Sequence, residues 1–513
     1  SISPVKTRVI FVYETGNYDT NKGIILHIIS HRHSKGGSIT MISVDHQVAL
    51  ERLSGILDGG LDFHDQKSGN AVHRIHAFPA KFPPQIPRTF IQSLTDPGDT
   101  VLDPMMGSGT TVLESFLLGR KAIGYDVDPL SVLLSKTKTT PIHQEEALAL
   151  SKEIVRRAND AFYRWRKEIE AELCVFWDEK TRDFVNYWFS RDVQIALKSI
   201  LNEIERIEDE DLKDFFKICF SAIIITKTGG VSLALDLAHT RPHRVRSAID
   251  WNGNVIGQYS EAGFPPGMFH LKRIRSPFEE FERRCRQNLM FIRDISSGTR
   301  QTDFFTPFEE QTERITPHVS YGDAQNIPLA SSCIDLVVTS PPYAMNAIDY
   351  MRAHKFSLVW LGYSISNLTT QRKKYIGSEG VMDGYSHSLP GGVMESVERL
   401  DRKKGLALYK YYSEMKNVLT ETFRVLKPGG TAVFVVGDST IRGQCLHIPE
   451  HLCAIGKSIG FSSPLIGTRR LDRNRRMMPA STKIRRMHEE YVLVFSKPSS
   501  VSPGSADAPQ SSG

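Results

Sequence analysis

The stretch DTVLDPMMGSGTTVLESFLLGRKAIGYDVDP, residues 99–129, decides the fold. Asp99 to Asp103 reads as a short buried strand, a glycine loop follows, Thr110 to Leu118 has helical spacing, and Lys121 to Tyr125 returns to a strand. Strand, loop, helix, strand builds a parallel sheet through a right-handed crossover. The loop then lies at the carboxyl edge of the first strand, where open α/β sheets hold their ligands. The predicted fold class is α/β, a Rossmann-like sheet.

Within the loop, Gly107 and Gly109 let the chain turn tightly and let a ligand approach the backbone. Asp126 ends the second strand about twenty residues later, where a carboxylate accepts hydrogen bonds from both hydroxyls of a ribose. The loop has no lysine of the GxxxxGK[ST] kind, and Asp103 and Pro104 are poor partners for a pyrophosphate. The site therefore fits a nucleoside cofactor that carries positive charge, and Asp103 supplies the countercharge.

Working outward, HRIHAFPAKFPPQIP (73–87) is too proline-rich for a helix interior and reads as a lead-in to a helix from Arg88 to Leu94. Residues 1 to about 70 alternate short β-like runs, such as Arg8 to Tyr13, with turns. From about Gln144 to Phe220 the periodicity is helical, as in EEALALSKEIVRRANDAFYRWRKEIEAEL. Gly229 to Pro266 reads as surface loops, and Pro277 to Ile295 as helix. Strands resume at Ile334 to Thr339, Gly430 to Val436 and Tyr491 to Phe495.

The expected organisation is an N-terminal extension (1–70), a first part of the sheet (71–145), a large helical insertion (146–315), a second part of the sheet (316–497) and a disordered Ser/Pro/Gly/Ala-rich tail (498–513).

The 513 residues are 40% hydrophobic and 24% charged, with no apolar run long enough to cross a bilayer, so no membrane partner is expected. A net charge of +6 over this length decides nothing by itself. Six scattered cysteines show neither zinc spacing nor disulfide density, and the run Ile24 to Ile29 is followed by basic residues where a leader would have a cleavage site. A reducing, cytoplasmic setting and no metal are expected.

Residues 335–343 read DLVVTSPPY: an apolar strand breaks at Thr339 and two prolines stiffen the turn. Neither proline has an N–H to donate, so the turn presents acceptors, with the Ser340 oxygen and the Tyr343 ring beside them. Such a site wants an amino group. Together, DPMMGSGTT, GYDVDP, GDA (322–324) and TSPPY (339–343) resemble the motif set of the DNA amino-methyltransferases, which modify N4 of cytosine or N6 of adenine.

The resemblance implies a sheet that binds S-adenosylmethionine, interrupted by the helical insertion, and duplex DNA as substrate. It implies that Ala80, Lys81, Phe82, Asp103, Pro104, Met105, Gly107, Gly109, Thr110 and Thr111 line the cofactor, with Asp126 on its ribose and Asp323 and Ala324 at its adenine. Ser340, Pro341, Pro342 and Tyr343 would hold the target base, with GDS (437–439) near the same pocket.

An exocyclic amine is a poor nucleophile until its lone pair leaves conjugation, and acceptors at Ser340 and Pro341 would draw it out while Tyr343 stacks on the base. The base must be flipped from the duplex to arrive there. The run GTRRLDRNRRMMPASTKIRR (467–486) offers Arg469, Arg470, Arg473, Arg475, Arg476, Lys483, Arg485 and Arg486 to phosphates.

No Pro-Cys pair exists for carbon-5 chemistry, and serine before Pro-Pro-Tyr favours N4 of cytosine over N6 of adenine. A restriction endonuclease is the expected companion. An RNA or protein methyltransferase, or a DNA-binding protein without activity, are the rival readings. Target recognition falls either to the helical insertion or to Leu361–Tyr409, with Arg372, Lys373 and Lys374.

Overall fold

The computed structural model describes residues 44–63, 70–235, 237, 242–257, 272–296, 315–344, 349–378, 388–441, 444–471 and 489–499. The chain divides into a unit of residues 1–60 and a unit of residues 61–513. In the first, residues 44–58 form helix α1 (Val44–Asp58) within a stretch expected to hold β-like runs, Val44, Val48, Ile56 and Leu57 recurring at helical rather than alternate spacing. Arg8 to Tyr13 lie outside the described residues.

In the second unit, a 3-10 turn at Ala71–Arg74 leads to α2 (Gln85–Leu94), which starts three residues before the expected Arg88. Pro87 sits in its first turn, where a missing N–H leaves no helical bond unmade. The deciding stretch folds as read: β1 (Thr100–Asp103), α3 (Thr110–Leu117) and β2 (Lys121–Asp126). Helix α4 (Pro129–Thr139) follows, capped by the Asp128 carboxylate, which accepts from the N–H groups of Leu130 and Ser131, with Pro129 at its first position.

The insertion folds as α5 (Gln144–Arg164), α6 (Arg166–Phe176), α7 (Glu179–Trp188), α8 (Arg191–Glu205) and α9 (Glu210–Ile224). Where loops were expected between Gly229 and Pro266, β3 (Ser247–Ile249) pairs with β4 (Val255–Gly257) and with β5 (Lys272–Arg273) in a small sheet. Helix α10 (Pro277–Ser296) closes the region. These helices bury Ile154, Leu197, Phe216 and Phe281 in the hydrophobic cluster that also takes Leu113 and Leu134 from α3 and α4. An insertion in sequence therefore shares one core with the sheet's own helices.

The sheet resumes with β6 (His318–Tyr321), an edge strand too short and polar to be read in advance, and β7 (Ile334–Thr339). Then come α11 (Met351–Leu358), α12 (Ile365–Arg372), α13 (Gly391–Glu398), α14 (Arg402–Val425), β8 (Leu426–Gly437), a hairpin of β9 (Thr440–Ile441) and β10 (Gln444–Cys445), α15 (Ile448–Ile459), β11 (Ser462–Arg470) and β12 (Glu489–Ser496). Within the expected basic run, residues 467–470 belong to β11, whose pairing with β12 carries the chain across the sheet edge. No helix among the described residues is long and apolar enough to cross a membrane.

The seven strands lie in the order β11-β12-β8-β7-β1-β2-β6. All neighbours are parallel except β12, which runs antiparallel to both β8 and β11. From β1 the order runs outward through β2 and β6, and from β7 outward through β8, so the two central strands mark the point where the winding reverses. In open α/β sheets that crevice is the ligand site.

Candidate active site at the carboxyl edge of the sheet

Because β1, β2, β6 and β7 are parallel, their carboxyl ends share one edge. That edge carries Asp103, Asp126, Asp323 and Thr339. The Thr339 hydroxyl donates to Asp103 Oδ1 at 2.7 Å, a buried bond between residues 236 apart in the chain. The glycine loop and the Ser-Pro-Pro-Tyr turn, far apart in sequence, thus meet where the winding reverses.

The loop is shaped by close packing. Gly109 has φ +70°, and a Cβ there would stand 2.4 Å from Ser135 Oγ on α4, so a side chain is excluded both by conformation and by space. Gly107, also with positive φ, donates its N–H to Asp126 Oδ2 at 2.8 Å, while the N–H of Asp128 reaches Oδ1 at 2.8 Å. Each Asp126 oxygen keeps a lone pair for a ligand. Burial, and then the neighbouring Asp128 charge, push the Asp126 carboxyl up to about 7.

Asp103 is buried and reaches about 6, because burial outweighs the Thr339 hydroxyl and the Met105 N–H that stabilise its charge. Asp128 behaves oppositely. Burial raises it, but His354 Nδ1 at 2.6 Å and the Tyr375 hydroxyl at 2.5 Å outweigh that, and its carboxyl stays below the usual range. Phe78 and Tyr350 flank this corner, their ring centroids 5.1 Å apart, and the Phe78 ring passes 3.6 Å from the position a Gly107 Cβ would occupy.

On the other side, the Tyr343 hydroxyl donates to Glu490 Oε1 at 2.8 Å, and Arg469 holds Glu490 Oε2 at 2.9 Å. Arg469 and Glu490 face each other in the β11–β12 register. Burial and the Glu490 charge hold the Tyr343 phenol well above its ordinary value, so it stays a donor. The Ser439 hydroxyl donates to the Ala344 carbonyl at 2.5 Å, bringing the Gly437–Ser439 segment against the end of the same turn. Pro341 is buried, while Ser340, Pro342 and Tyr343 are half-buried.

The structure sorts the remaining expected residues. Met105 and Phe82 are half-buried, but Pro104, Thr110, Thr111 and Ala324 are buried within the fold. Asp323 is half-buried, its Oδ1 accepting the Gln325 N–H at 2.9 Å. Ala80 holds a strained φ of +44°. Lys81 turns inward, donating to the carbonyls of His73 at 2.5 Å and His76 at 2.7 Å, and burial brings its ammonium down to about 8. It braces the lead-in segment.

Arg469 requires a correction. At 4% exposure and ion-paired with Glu490 it cannot reach a phosphate, because its pairing position in β11 turns the guanidinium inward. Arg470 is exposed, and its N–H donates to Asp62 at 2.5 Å. Arg473, Arg475, Arg476, Lys483, Arg485 and Arg486 lie outside the described residues.

Sequence reading missed Phe78, Asp128, Tyr350, His354 and Glu490. Asp128 had a signal, an Asp-Pro pair at a helix start, and Phe78 stands two residues before Ala80. Nothing local marks Glu490. Among the described residues no group of His, Cys, Asp and Glu is placed to hold a metal ion.

The DNA methylase family pattern matches residues 58–137 and 334–510, on either side of most of the helical insertion. The chain is 26% identical over 410 residues to the Type II methyltransferase M.MvaI of Kocuria varians, covering 74% of this chain and 80% of that one. It is 23% identical to the Type II methyltransferase M.BsoBI of Geobacillus stearothermophilus, covering 71% and 73%. A DNA modification methylase of Thermus thermophilus, solved with S-adenosyl-L-methionine, is 20% identical over 34% of this chain and 51% of that one, with a TM-score of 0.19. With the glycine loop, the acidic strand ends and the Ser-Pro-Pro-Tyr turn joined at one edge of a seven-stranded sheet, the chain belongs to the DNA methylases of the N6-adenine/N4-cytosine family.

Proposed function

We propose that the protein methylates N4 of cytosine in duplex DNA, with S-adenosylmethionine as methyl donor. The observation that carries this reading is the Thr339–Asp103 hydrogen bond, which joins the acidic cofactor edge to the turn that receives an amine. The edge suits that cofactor. Asp126 offers two oriented acceptors to a ribose, Asp103 stands ready for positive charge, and Asp323 follows the next strand out, where an adenine amino group is to be met. When bound, S-adenosylmethionine supplies an electrophilic methyl group on a positively charged sulfur.

The rest falls to the protein. The Ser340 oxygen and the Pro341 carbonyl accept the two N–H hydrogens of the amine and draw its lone pair out of the ring. The Tyr343 ring stacks on the flipped base, offsetting part of a cost of a few kcal/mol for extruding it. The hydroxyl of Tyr343, anchored on Glu490, fixes the plane in which that base lies. Serine at position 340 favours cytosine as the target.

The helical insertion is assigned to DNA recognition, and a restriction endonuclease of the same specificity is the expected companion. Mass spectrometry of nucleosides from DNA incubated with the enzyme and labelled S-adenosylmethionine tests the reading. N4-methylcytosine is expected. N6-methyladenine alone would reassign the target, and no methylated nucleoside would end the proposal.

A further inference from the structure

Away from the sheet edge, the helical insertion holds a concentration of positive charge that ion pairs among the described residues balance only in part. Helix α9 ends at Ile224, and the turn after it folds back, with the Val231 N–H on the Ile223 carbonyl at 3.1 Å and the Gly230 N–H on Thr226 Oγ1 at 2.6 Å. Strand β5 and the start of α10 face this turn across an open cleft of about 710 Å³. Five basic side chains and one carboxylate, Glu280, line it.

Glu280 is already engaged, by Arg275 at 3.1 Å and by Arg283. The Lys272 ammonium donates to the carbonyls of Ser232 and Ala234, each at 2.6 Å, and burial lowers it to about 7, so the standing positive charge of the cleft rests on its arginines. Arg273 and Arg284 form no ion pair among the described residues, and Arg284 Nε is buried without a hydrogen-bond partner. Like charges gathered without counterions oppose folding, so the arrangement points to an anion from outside.

The donor set defines that anion. Guanidinium groups match phosphate oxygens in pairs, and the Thr226–Thr228 hydroxyl pair, 3.3 Å apart, leaves one further O–H to donate from the lining. The cleft is too wide and open for one small ion to satisfy all of them, but suits an extended chain of phosphates. It is also linked to the site: Ser221, two residues before the cleft-lining Ile223 on α9, donates to His76 Nε2 at 2.8 Å, and His76 adjoins the Ala77–Phe82 lead-in.

We propose that this cleft binds the phosphodiester backbone of the DNA duplex through Arg273 and Arg284, so that the insertion grips the substrate beside the nucleotide being modified. The inference rests on duplex DNA being the substrate.

The test uses the full chain and fluorescence anisotropy with a labelled duplex at several salt concentrations. Arg273→Glu and Arg284→Gln should each weaken binding roughly ten-fold, with little dependence on sequence, and each should flatten the log-affinity against log-salt slope by about 0.9 per lost phosphate contact. Arg273→Lys keeps the charge and should keep the salt slope, while losing about two- to three-fold in affinity with the paired geometry. S-adenosylmethionine affinity and the melting temperature are measured on the same samples, and Arg273→Gln, at an exposed position, serves where a variant fails to fold.

Unchanged affinity and slope in folded Arg273→Glu and Arg284→Gln would overturn the proposal. Displacement of the duplex from this cleft by inorganic phosphate alone at low millimolar concentration would also overturn it, marking a small-anion site. A wild-type protein that neither binds nor methylates duplex DNA would instead sink the functional reading on which the inference rests.

Discussion

The two halves of the carboxyl edge treat charge in opposite ways. On the β1–β2 side, buried Asp103 and half-buried Asp126 are paired with no cation among the described residues, and their carboxyls rise to about 6 and about 7. On the β8–β12 side, Glu490 is matched by Arg469 and by the Tyr343 hydroxyl. On the proposed function, the difference follows from what each half receives. A cationic cofactor supplies the missing countercharge when it binds, whereas a neutral base needs rigid shape and leaves nothing to neutralise.

The largest expected effect breaks the rigid half. Tyr343→Ala should lower kcat by roughly 10³-fold or more, through lost stacking and lost positioning, while equilibrium dialysis finds cofactor affinity unchanged. Full activity on duplex DNA would show that the turn does not hold the base. Next, Asp126→Ala removes two charge-assisted acceptors and should weaken cofactor binding about 100-fold by calorimetry, with the fold intact by circular dichroism.

Tyr343→Phe probes the tether alone. Keeping the ring but losing the bond to Glu490, it should reduce the single-turnover rate about ten-fold with cofactor affinity unchanged. A wild-type rate would mean that packing, not the hydroxyl, sets the ring's orientation.

The smallest effect sharpens the acidic half. The ligand's hydroxyls and positive charge favour ionised Asp126 and Asp103, whose raised values leave them partly protonated in the free protein near neutrality. Binding must therefore expel a proton below about pH 7, and cofactor affinity should fall as pH drops, approaching about ten-fold per unit between 7 and 6. It should be level above pH 8, and in Asp126→Asn the fall near pH 7 should vanish.

The acidic half was the more legible in sequence. Asp103, Gly107, Gly109 and Asp126 act through local geometry, a strand end and a tight turn, and local geometry leaves a local pattern. The strand Ile334–Thr339 was likewise read to its true ends, because a central parallel strand is apolar on both faces. What escaped depends on distant pairing. Glu490 matters only because β12 runs antiparallel between β8 and β11 and delivers it to Tyr343, and Arg469 was misread as a phosphate contact because a run of arginines does not reveal which one a strand turns inward. Edge strand β6, with its half-exposed His318–Tyr321, has no apolar signature to find.

The bond between Thr339 and Asp103 also sets a timetable. At synthesis rates of about 5–20 residues per second, a ribosome needs on the order of 10–50 s to travel from one partner to the other, and β1 has only β2 beside it until then. The nascent chain must carry an open strand edge for that interval, while the helices from α5 to α10 emerge and pack over α3 and α4. Their early arrival shields apolar surface that would otherwise invite aggregation before the centre of the sheet can close.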